Sequence, residues 1–393
     1  MRVVVCGAGI AGLTFANRMS SSGHEVVLLD RAPGPRPQGY MIDFFGPGLD
    51  ALDAMGLLPA VDEVRYHVDE ATLVDGRGRR TVGVRTPGLA GGTLVNVLRP
   101  DLEGVLRARL PAGVDVRYGT GPVAVTDRGD RVEVALTDGS TLGADLLVGA
   151  DGVHSTVRRL VFGDEREYLR YLGFHTAAFL FDAPRVHAAT RGRFTLTDTV
   201  GRQMGFYGLR DGRVATFAVH RTPDPTTPAD VRESVRDTYR GLGWIVPEAL
   251  DLCPPSEEIY YDQVSQVHVP EWSRGRVVLI GDACHAVSLL AGQGASLGVA
   301  GAYVLADQLT RAPVDRATAA YERLWRPVVE ERQRVGRAGA RWFLPASAVE
   351  LVVRRAALRL TRFPAVSRWV AATIVGKSTD VVTTPRREPI DPA

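Results

Sequence analysis

Gly281-Asp282-Ala283-Cys284-His285-Ala286-Val287-Ser288-Leu289-Leu290-Ala291-Gly292-Gln293-Gly294-Ala295-Ser296-Leu297-Gly298 is the stretch from which the fold of this 393-residue chain is read. Before it, Arg276-Val277-Val278-Leu279-Ile280 is a short β-branched apolar run that suits a buried parallel strand; after it, Val299 to Leu309 carries helical spacing. Asp282 is therefore expected at the C-terminal end of a strand, where open α/β sheets bind their ligands. Gly292 and Gly294 would let a large planar ligand approach the backbone at the start of a helix. The free N–H groups and positive dipole end of that helix favour negative charge on the ligand. Asp282 is an acceptor-only carboxylate that suits the hydroxyls of a sugar-like chain.

Working back to the start of the chain, Arg2 to Cys6 reads as a strand and Gly7-Ala8-Gly9-Ile10-Ala11-Gly12 is G-x-G-x-x-G. Leu13 to Ser22 continues as a helix closed by Gly23, and Glu25 to Leu29 reads as a second strand that ends in Asp30 and Arg31. Strand, tight glycine turn, helix, second strand and an acid about twenty residues on are the context a dinucleotide site requires. The pyrophosphate is expected on the helix N-terminus and the adenosine ribose on Asp30. That carboxylate would repel a 2′-phosphate, so the site suits FAD or NAD rather than NADP.

A third element is Ala144-Asp145-Leu146-Leu147-Val148-Gly149-Ala150-Asp151-Gly152-Val153-His154-Ser155-Thr156-Val157-Arg158, a buried strand followed by a short helix that Ser155 can cap. Read from residues alone, Asp151 and Arg158 are either site residues or an ordinary ion pair. Arg99, with Leu102 three residues on, opens a helix expected within Leu94 to Leu110. Between these lies Ala32 to Gly48, a Pro- and Gly-rich segment read as a loop, with Gly39 and Tyr40 either beside a ligand or at the surface.

The Gly281-Asp282 stretch closely resembles the GD motif of the class A flavoprotein aromatic hydroxylases, of the p-hydroxybenzoate hydroxylase fold and similar to tetracycline monooxygenases. The resemblance implies that Asp282, following Gly281, binds the ribityl chain of FAD and that Gly292, Gln293, Gly294 and Ala295 lie against the isoalloxazine ring. It places Gly39 and Tyr40 beside the flavin and Arg99 on the FAD backbone. Asp151, Gly152 and Arg158 match that family's DG motif, which shapes the flavin site and the passage used by NAD(P)H.

Composition bounds the remaining classes. Apolar and charged fractions of 45% and 23% are those of a soluble globular protein, and a formal charge of +2 gives no reason to expect nucleic acid. Lys377 is the only lysine, which leaves lysine-dependent chemistry one candidate, far out in the tail. Cys6, Cys253 and Cys284 are widely spaced and odd in number, which argues against disulfides and fits a reducing cytoplasm. No His, Asp, Glu or Cys spacing suggests a metal, and no apolar run is long enough to span a bilayer. Cys284 and His285 are read as structural parts of the turn. Nothing in the sequence sets the oligomeric state.

The expected fold class is α/β, a Rossmann-type FAD domain (1–70, 94–165 and 270–340) interleaved with an antiparallel-sheet substrate domain (71–93 and 166–269). A C-terminal bridging helix and tail would occupy 341–393. Ala71 to Val84 alternates as a hairpin, and Gly173 to Phe181, Arg193 to Thr197, Gln203 to Leu209 and Val214 to His220 read as strands interrupted by a helical Pro228 to Leu242. Alternation puts Gln203, Gly205 and Tyr207 on one face and Met204, Phe206 and Gly208 on the other, without saying which face meets a substrate. The pocket candidates are Gln203, Met204, Phe206, Phe217, His220 and Leu290, and for the five strand residues core or sheet packing is the reading the pattern favours. Ala346 to Val375 reads as an amphipathic, arginine-bearing helix interrupted at Pro364, either on a membrane surface or, in keeping with the other motifs, packed across the two domains.

By resemblance, NAD(P)H would reduce FAD, O2 would add to give a C4a-hydroperoxide, and one oxygen atom would pass to an aromatic or polyketide-like small molecule. No protein nucleophile is expected. One departure stands out: Ser288-Leu289-Leu290 replaces prolines that many members carry. It keeps two other readings open, a flavin-dependent dehydrogenase, reductase or cyclase on the same fold, and a non-catalytic flavin-bound binding protein.

Overall fold

The apolar run Arg2–Cys6 becomes the interior of a six-stranded sheet in the computed structural model, which describes residues 1–68, 70–85, 94–288, 292–360 and 381–382. From one edge the strands are Ser273–Arg274, Val277–Leu279, Leu146–Gly149, Arg2–Cys6, Glu25–Asp30 and Asp115–Tyr118. All neighbours run parallel except the first pair. Val4 lies opposite both Leu147 and Val27, and all three are buried. Continuous burial is why these strands read as unbroken apolar runs rather than alternating ones. The helix Gly294–Leu309, apolar on nearly every side, fills the space between the helices Ile10–Ser21, Pro47–Ala54 and Val314–Phe343.

A second sheet runs Tyr260–Val267, Leu169–Ala178, Val214–Arg221, Arg202–Gly208, Arg193–Thr197, Glu70–Val74 and Arg80–Arg85, with Leu180–Phe181 added on Val214–Arg221. The early hairpin joins it by parallel pairing of Glu70–Val74 with Arg193–Thr197. One face packs Met204, Phe206 and Ala218 under the helices Val231–Tyr239 and Val246–Asp251. The opposite face carries Tyr207 and Phe217.

Three local expectations need correction. The segment expected as helix from Leu94 begins as a strand, Val95–Leu98, and turns helical only at Arg99–Ala108, where Pro100 occupies a first-turn position that needs no N–H. Its partner is Met41–Phe44, inside the segment read as loop; four residues between glycines and prolines are too few for a periodic signal. The run Leu49 to Leu58, whose spacing alone reads as one helix, forms parts of two, Pro47–Ala54 and Leu58–Glu63, parted at Gly56, whose φ is +69°.

At the C-terminal end, the helix Ala348–Leu360 lies along Arg80–Arg85. Arg354 and Arg355 donate to the two carboxylate oxygens of Asp198, each at 2.6 Å, and so tie this helix to the second sheet. The remainder of the expected helix, with Pro364, lies outside the described residues. No helix among the described residues is long and apolar enough to cross a membrane.

Candidate active site

The glycine turn shows a division of labour. A Cβ on Gly12 would stand 1.9 Å from the Gly7 carbonyl oxygen, and one on Gly7 would stand 2.3 Å from the Ala150 carbonyl oxygen, so both positions exclude any side chain. A Cβ on Gly9 would meet nothing nearer than the Glu103 carboxylate at 3.8 Å; this glycine keeps open space beside the helix N-terminus. Asp30 is fixed from both sides, its Oδ2 accepting from the Ala8 N–H (2.9 Å) and its Oδ1 from the Ala32 N–H (2.8 Å). Each oxygen retains a second lone pair.

Ser155 is the N-cap of the helix Thr156–Val161, its hydroxyl accepting from the Arg158 N–H (2.9 Å), and Asp151 adds to the cap by accepting from the Thr156 N–H (2.7 Å), the Val157 N–H (3.0 Å) and the Ser155 hydroxyl. Burial raises its carboxyl above the ordinary range against those hydrogen bonds. Arg158 pairs with Glu165 (3.2 Å), not Asp151, and does not reach the site. It is fully buried and donates to the Val153 carbonyl at 2.7 Å and the Ala283 carbonyl at 2.8 Å, which joins the Asp151 loop to the Asp282 loop. His154 lies between Glu165 and Asp262, 3.1 Å from each, and its hydrogen bond with Asp262 is the main cause that pushes its pKa up to about 9.

These loops open on one cavity of about 680 Å3, within the range of cofactor and ligand pockets, about 300–1,000 Å3. Gly7, Gly9, Ile10, Ala11, Asp30, Arg31, Asp151 and Gly152 line one end. Gly281, Asp282, Gly292, Gly294, Ala295, Tyr40 and Arg99 line its middle. Burial raises the Asp282 carboxyl, partly offset by the Arg99 guanidinium. Arg99 is itself tied to Glu103 at 2.9 Å. Gln293 is buried beneath the turn and Gly12 lies under Gly7; neither lines the cavity. Gly39 packs against Pro100 rather than facing the cavity.

The far end is an aromatic wall from the second sheet. Phe194 and Tyr207 stack at 4.0 Å with planes 1° apart, and Phe217 stands edge-on to Phe343 at 6.1 Å and tilted against Tyr40 at 5.9 Å. Of the pocket candidates only Phe217 is here. Met204 and Phe206 face the helices on the other side of the sheet, and His220 is turned away toward Tyr239 (3.1 Å). Gln203 shares the cavity face but is sealed beneath it, and Leu290 lies outside the described residues. Tyr207, Phe194, Tyr260 and Phe343 were missed. Strand alternation already grouped Tyr207 with Gln203, and the adjacent-strand register, Gly205 opposite Phe217, adds Phe217 to that face.

Residues 1–341 match the family described as FAD binding domain. The chain belongs to that family. An uncharacterized protein of Mycobacterium tuberculosis (strain ATCC 25618 / H37Rv) is 34% identical over 327 residues, 80% of this chain and 86% of that one. A flavin-dependent monooxygenase of Legionella longbeachae serogroup 1 (strain NSW150) is 27% identical over 348 residues, 86% and 88% of the two chains. A 3-amino-4-hydroxybenzoate 2-monooxygenase of Streptomyces cremeus is 29% identical over 388 residues, 96% of each. Among solved structures, the tetracycline destructase Tet(51) superposes with a TM-score of 0.81 at 26% identity, covering 96% of this chain and 98% of that chain. The chain is thus an FAD-dependent enzyme of the class A hydroxylase group.

FAD fits the residues present. Gly9, Gly292 and Gly294 each leave open space where a side chain would stand, a Cβ on Gly294 coming only within 3.8 Å of the Asp282 carboxylate. Asp30 and Asp282, two acceptors, both line the cavity, a donor-seeking pair that suits the two hydroxyl-bearing parts of a dinucleotide flavin. The 16-residue helix that starts at Gly294 points its positive end into the cavity between them and the aromatic wall.

Proposed function

We propose that the enzyme uses NAD(P)H and O2 to hydroxylate or otherwise oxygenate an aromatic or polyketide-like small molecule. The observation that carries this reading is the continuity of one cavity from the glycine turn at Gly7, past Asp282 and the Gly294 helix, to the Phe194–Tyr207–Phe217 wall. When bound, FAD supplies the redox and oxygen chemistry.

The chain's own residues bind, orient and exclude. The helix N-terminus at Ile10 holds the pyrophosphate, with Gly9 allowing its approach, and Asp30 holds the adenosine ribose. Asp282 takes the ribityl hydroxyls, Arg99 with Tyr40 flanks the chain, and Asp151 with Gly152 shapes the neighbouring loop. The N-terminal end of Gly294–Leu309 would turn its positive dipole end toward a bound flavin and favour negative charge there. The stacked pair Phe194–Tyr207 with Phe217 offers a flat apolar surface that orients a planar substrate and keeps water from the reacting face. No side chain is required as a nucleophile.

The test is substrate-dependent NAD(P)H oxidation under labelled O2. One labelled oxygen atom in the product for each nucleotide consumed supports the proposal. Nucleotide oxidation with an unlabelled, dehydrogenated or cyclised product would move the assignment to the dehydrogenase reading, which Ser288-Leu289-Leu290 in place of prolines favours. Ser288 stands there in the left-handed region, with φ +94°. Bound FAD that no nucleotide reduces in the presence of any ligand would favour a binding protein.

A further inference from the structure

One ionisable group of the cavity has no part in the scheme above. Asp43 lies on the short strand Met41–Phe44 and lines the cavity that holds Tyr207, Phe194 and Phe217. Its Oδ1 accepts from the Asn96 side-chain amide at 2.5 Å, across the antiparallel pair that sets Asp43 opposite Asn96. Its Oδ2 has no protein partner among the described residues, although the side chain is open to the cavity. Although Asp43 is exposed to the open cavity, desolvation by the surrounding walls raises its carboxyl above the ordinary range, and the Asn96 hydrogen bond opposes that. Asp43 is also close enough to Tyr207 to raise its phenol.

The cations of the cavity lie elsewhere. Arg99 is committed to Glu103, Arg36 stands 3.7 Å from Asp30, Arg31 follows Asp30 in the chain, and Arg159 sits on the helix that Asp151 caps. Among the described residues, no Arg, Lys or His forms an ion pair with Asp43. Asp43 is exposed in the open cavity, and once a ligand displaces water there the carboxylate is left half-satisfied, at a cost, unless that ligand completes it. A hydroxyl or amine donor on the ligand does so, whereas a ligand carboxylate brings a second anion with nothing to neutralise either.

We propose that Asp43, positioned by Asn96, is a specificity-determining residue of the substrate end: its Oδ2 accepts a hydrogen bond from a hydroxyl or amine on an aromatic substrate and excludes aromatic carboxylates. This rests on the monooxygenase reading above and adds a selector to it. A wild-type preference for a benzoate, such as the Streptomyces relative's name implies for that protein, would contradict it.

The experiment uses the FAD-loaded enzyme and two probes of matched shape, 2-naphthol and 2-naphthoate, with affinity read from perturbation of the flavin absorption band. The wild type binds the naphthol about tenfold to a hundredfold tighter, the range for a hydrogen bond to an ionised group. In Asp43→Asn, which keeps the shape and removes the charge, naphthol binding weakens and naphthoate binding tightens, so the ratio collapses to within a few-fold of one. A folding lesion cannot tighten one ligand, and FAD content confirms that the variant is loaded. Equal wild-type affinity for the two probes, no perturbation by either, or an unchanged ratio in Asp43→Asn overturns the proposal. Failure of the monooxygenase reading shows separately, as missing oxygen label in a protein whose probe selectivity still switches at residue 43.

Discussion

Alanine at Gly9 and alanine at Gly12 should separate two properties that one glycine motif combines. At Gly12 the new Cβ would sit 1.9 Å from the Gly7 carbonyl oxygen and 3.3 Å from the Ala150 Cβ. The helix must retreat by roughly 1 Å to reach a tolerable contact, and overpacking of this kind costs about 1–3 kcal/mol. The apoprotein should therefore lose that much stability, and FAD binding should fall with it because the helix N-terminus has moved. At Gly9 the backbone already has φ −84° and ψ −174°, which alanine adopts freely, and the Cβ would meet only the Glu103 carboxylate at 3.8 Å. The gain of about 0.4–1 kcal/mol from a stiffer unfolded chain is offset by alanine's poor performance at a helix N-cap. Apoprotein stability should stay within about 0.5 kcal/mol of wild type, as for a substitution that disturbs no packing. The methyl group nevertheless occupies the space through which the pyrophosphate approaches, so the FAD dissociation constant should rise by about tenfold or more, equivalent to about 1.4 kcal/mol. Chemical denaturation of both apoproteins and FAD titration by fluorescence measure the two quantities. A Gly9→Ala protein that binds FAD as tightly as wild type would refute the assignment of open space at Gly9 to the cofactor.

The two faces of the second sheet give a paired test: Met204→Ala should destabilise by about 2–5 kcal/mol with little change in aromatic-ligand affinity, while Phe217→Ala should weaken that affinity several-fold at smaller cost in stability. Asp198→Ala leaves Arg354, itself buried, without its carboxylate partner and should cost about 3–5 kcal/mol, measured by urea unfolding. Burial alone would raise the Asp198 carboxyl, but hydrogen bonds from Thr81, Arg355 and Arg354 lower it below the ordinary range. Its contribution is thus present above the unfolded carboxyl pKa and is lost as pH falls through the lower folded value, so the melting temperature should drop at acid pH less steeply in Asp198→Asn than in wild type. His154 has the opposite sign: raised from 6.5 to about 9, chiefly by its hydrogen bond with Asp262, it contributes fully below pH 6.5 and loses that contribution as pH rises to about 9. A His154→Gln protein should show a flatter melting profile over that window, and identical profiles would sink the idea.

The cofactor side of the fold was legible because its constraints are local. Gly7, Gly9 and Gly12 lie within six residues; Gly12 is required by the Gly7 carbonyl a turn away and Gly9 by an opening at the helix start, and although Gly7 answers to the Ala150 carbonyl of the neighbouring strand, the spacing of the three survives in a single sequence. Asp282 stood out for the same reason, at the junction of an apolar strand and a glycine turn. The substrate side is set by tertiary contacts. Alternation correctly grouped Tyr207 with Gln203 and Met204 with Phe206, but which group meets the cavity depends on where the helices Val231–Tyr239 and Val246–Asp251 come to rest. The first of these falls within the run Pro228 to Leu242 that read as helical; the second was not read, and neither was the sheet face they cover. Asp43 was hidden for a third reason, since a four-residue strand defined by its partner at Val95–Leu98 has no period of its own.

Arg158 shows how a motif can be recognised and its mechanics still be misjudged. The sequence places it seven residues after Asp151, a spacing that suits either a ligand contact or an ion pair with that acid. The structure gives Asp151 to the backbone of its own helix and sends the guanidinium inward to two carbonyls, Val153 and Ala283. Those carbonyls belong to loops 130 residues apart in sequence that must close around one cavity from different strands. A planar fork with several donors can bridge two fixed acceptors and still pair with Glu165, which a single ammonium could do only with looser geometry. Burial pulls the Arg158 pKa down, a cost the surrounding acceptors offset only in part, and the site retains that cost because the bridge fixes the spacing between Gly152 and Asp282. The arginine thus acts on the cavity without touching it: it ties together two loops that both line it.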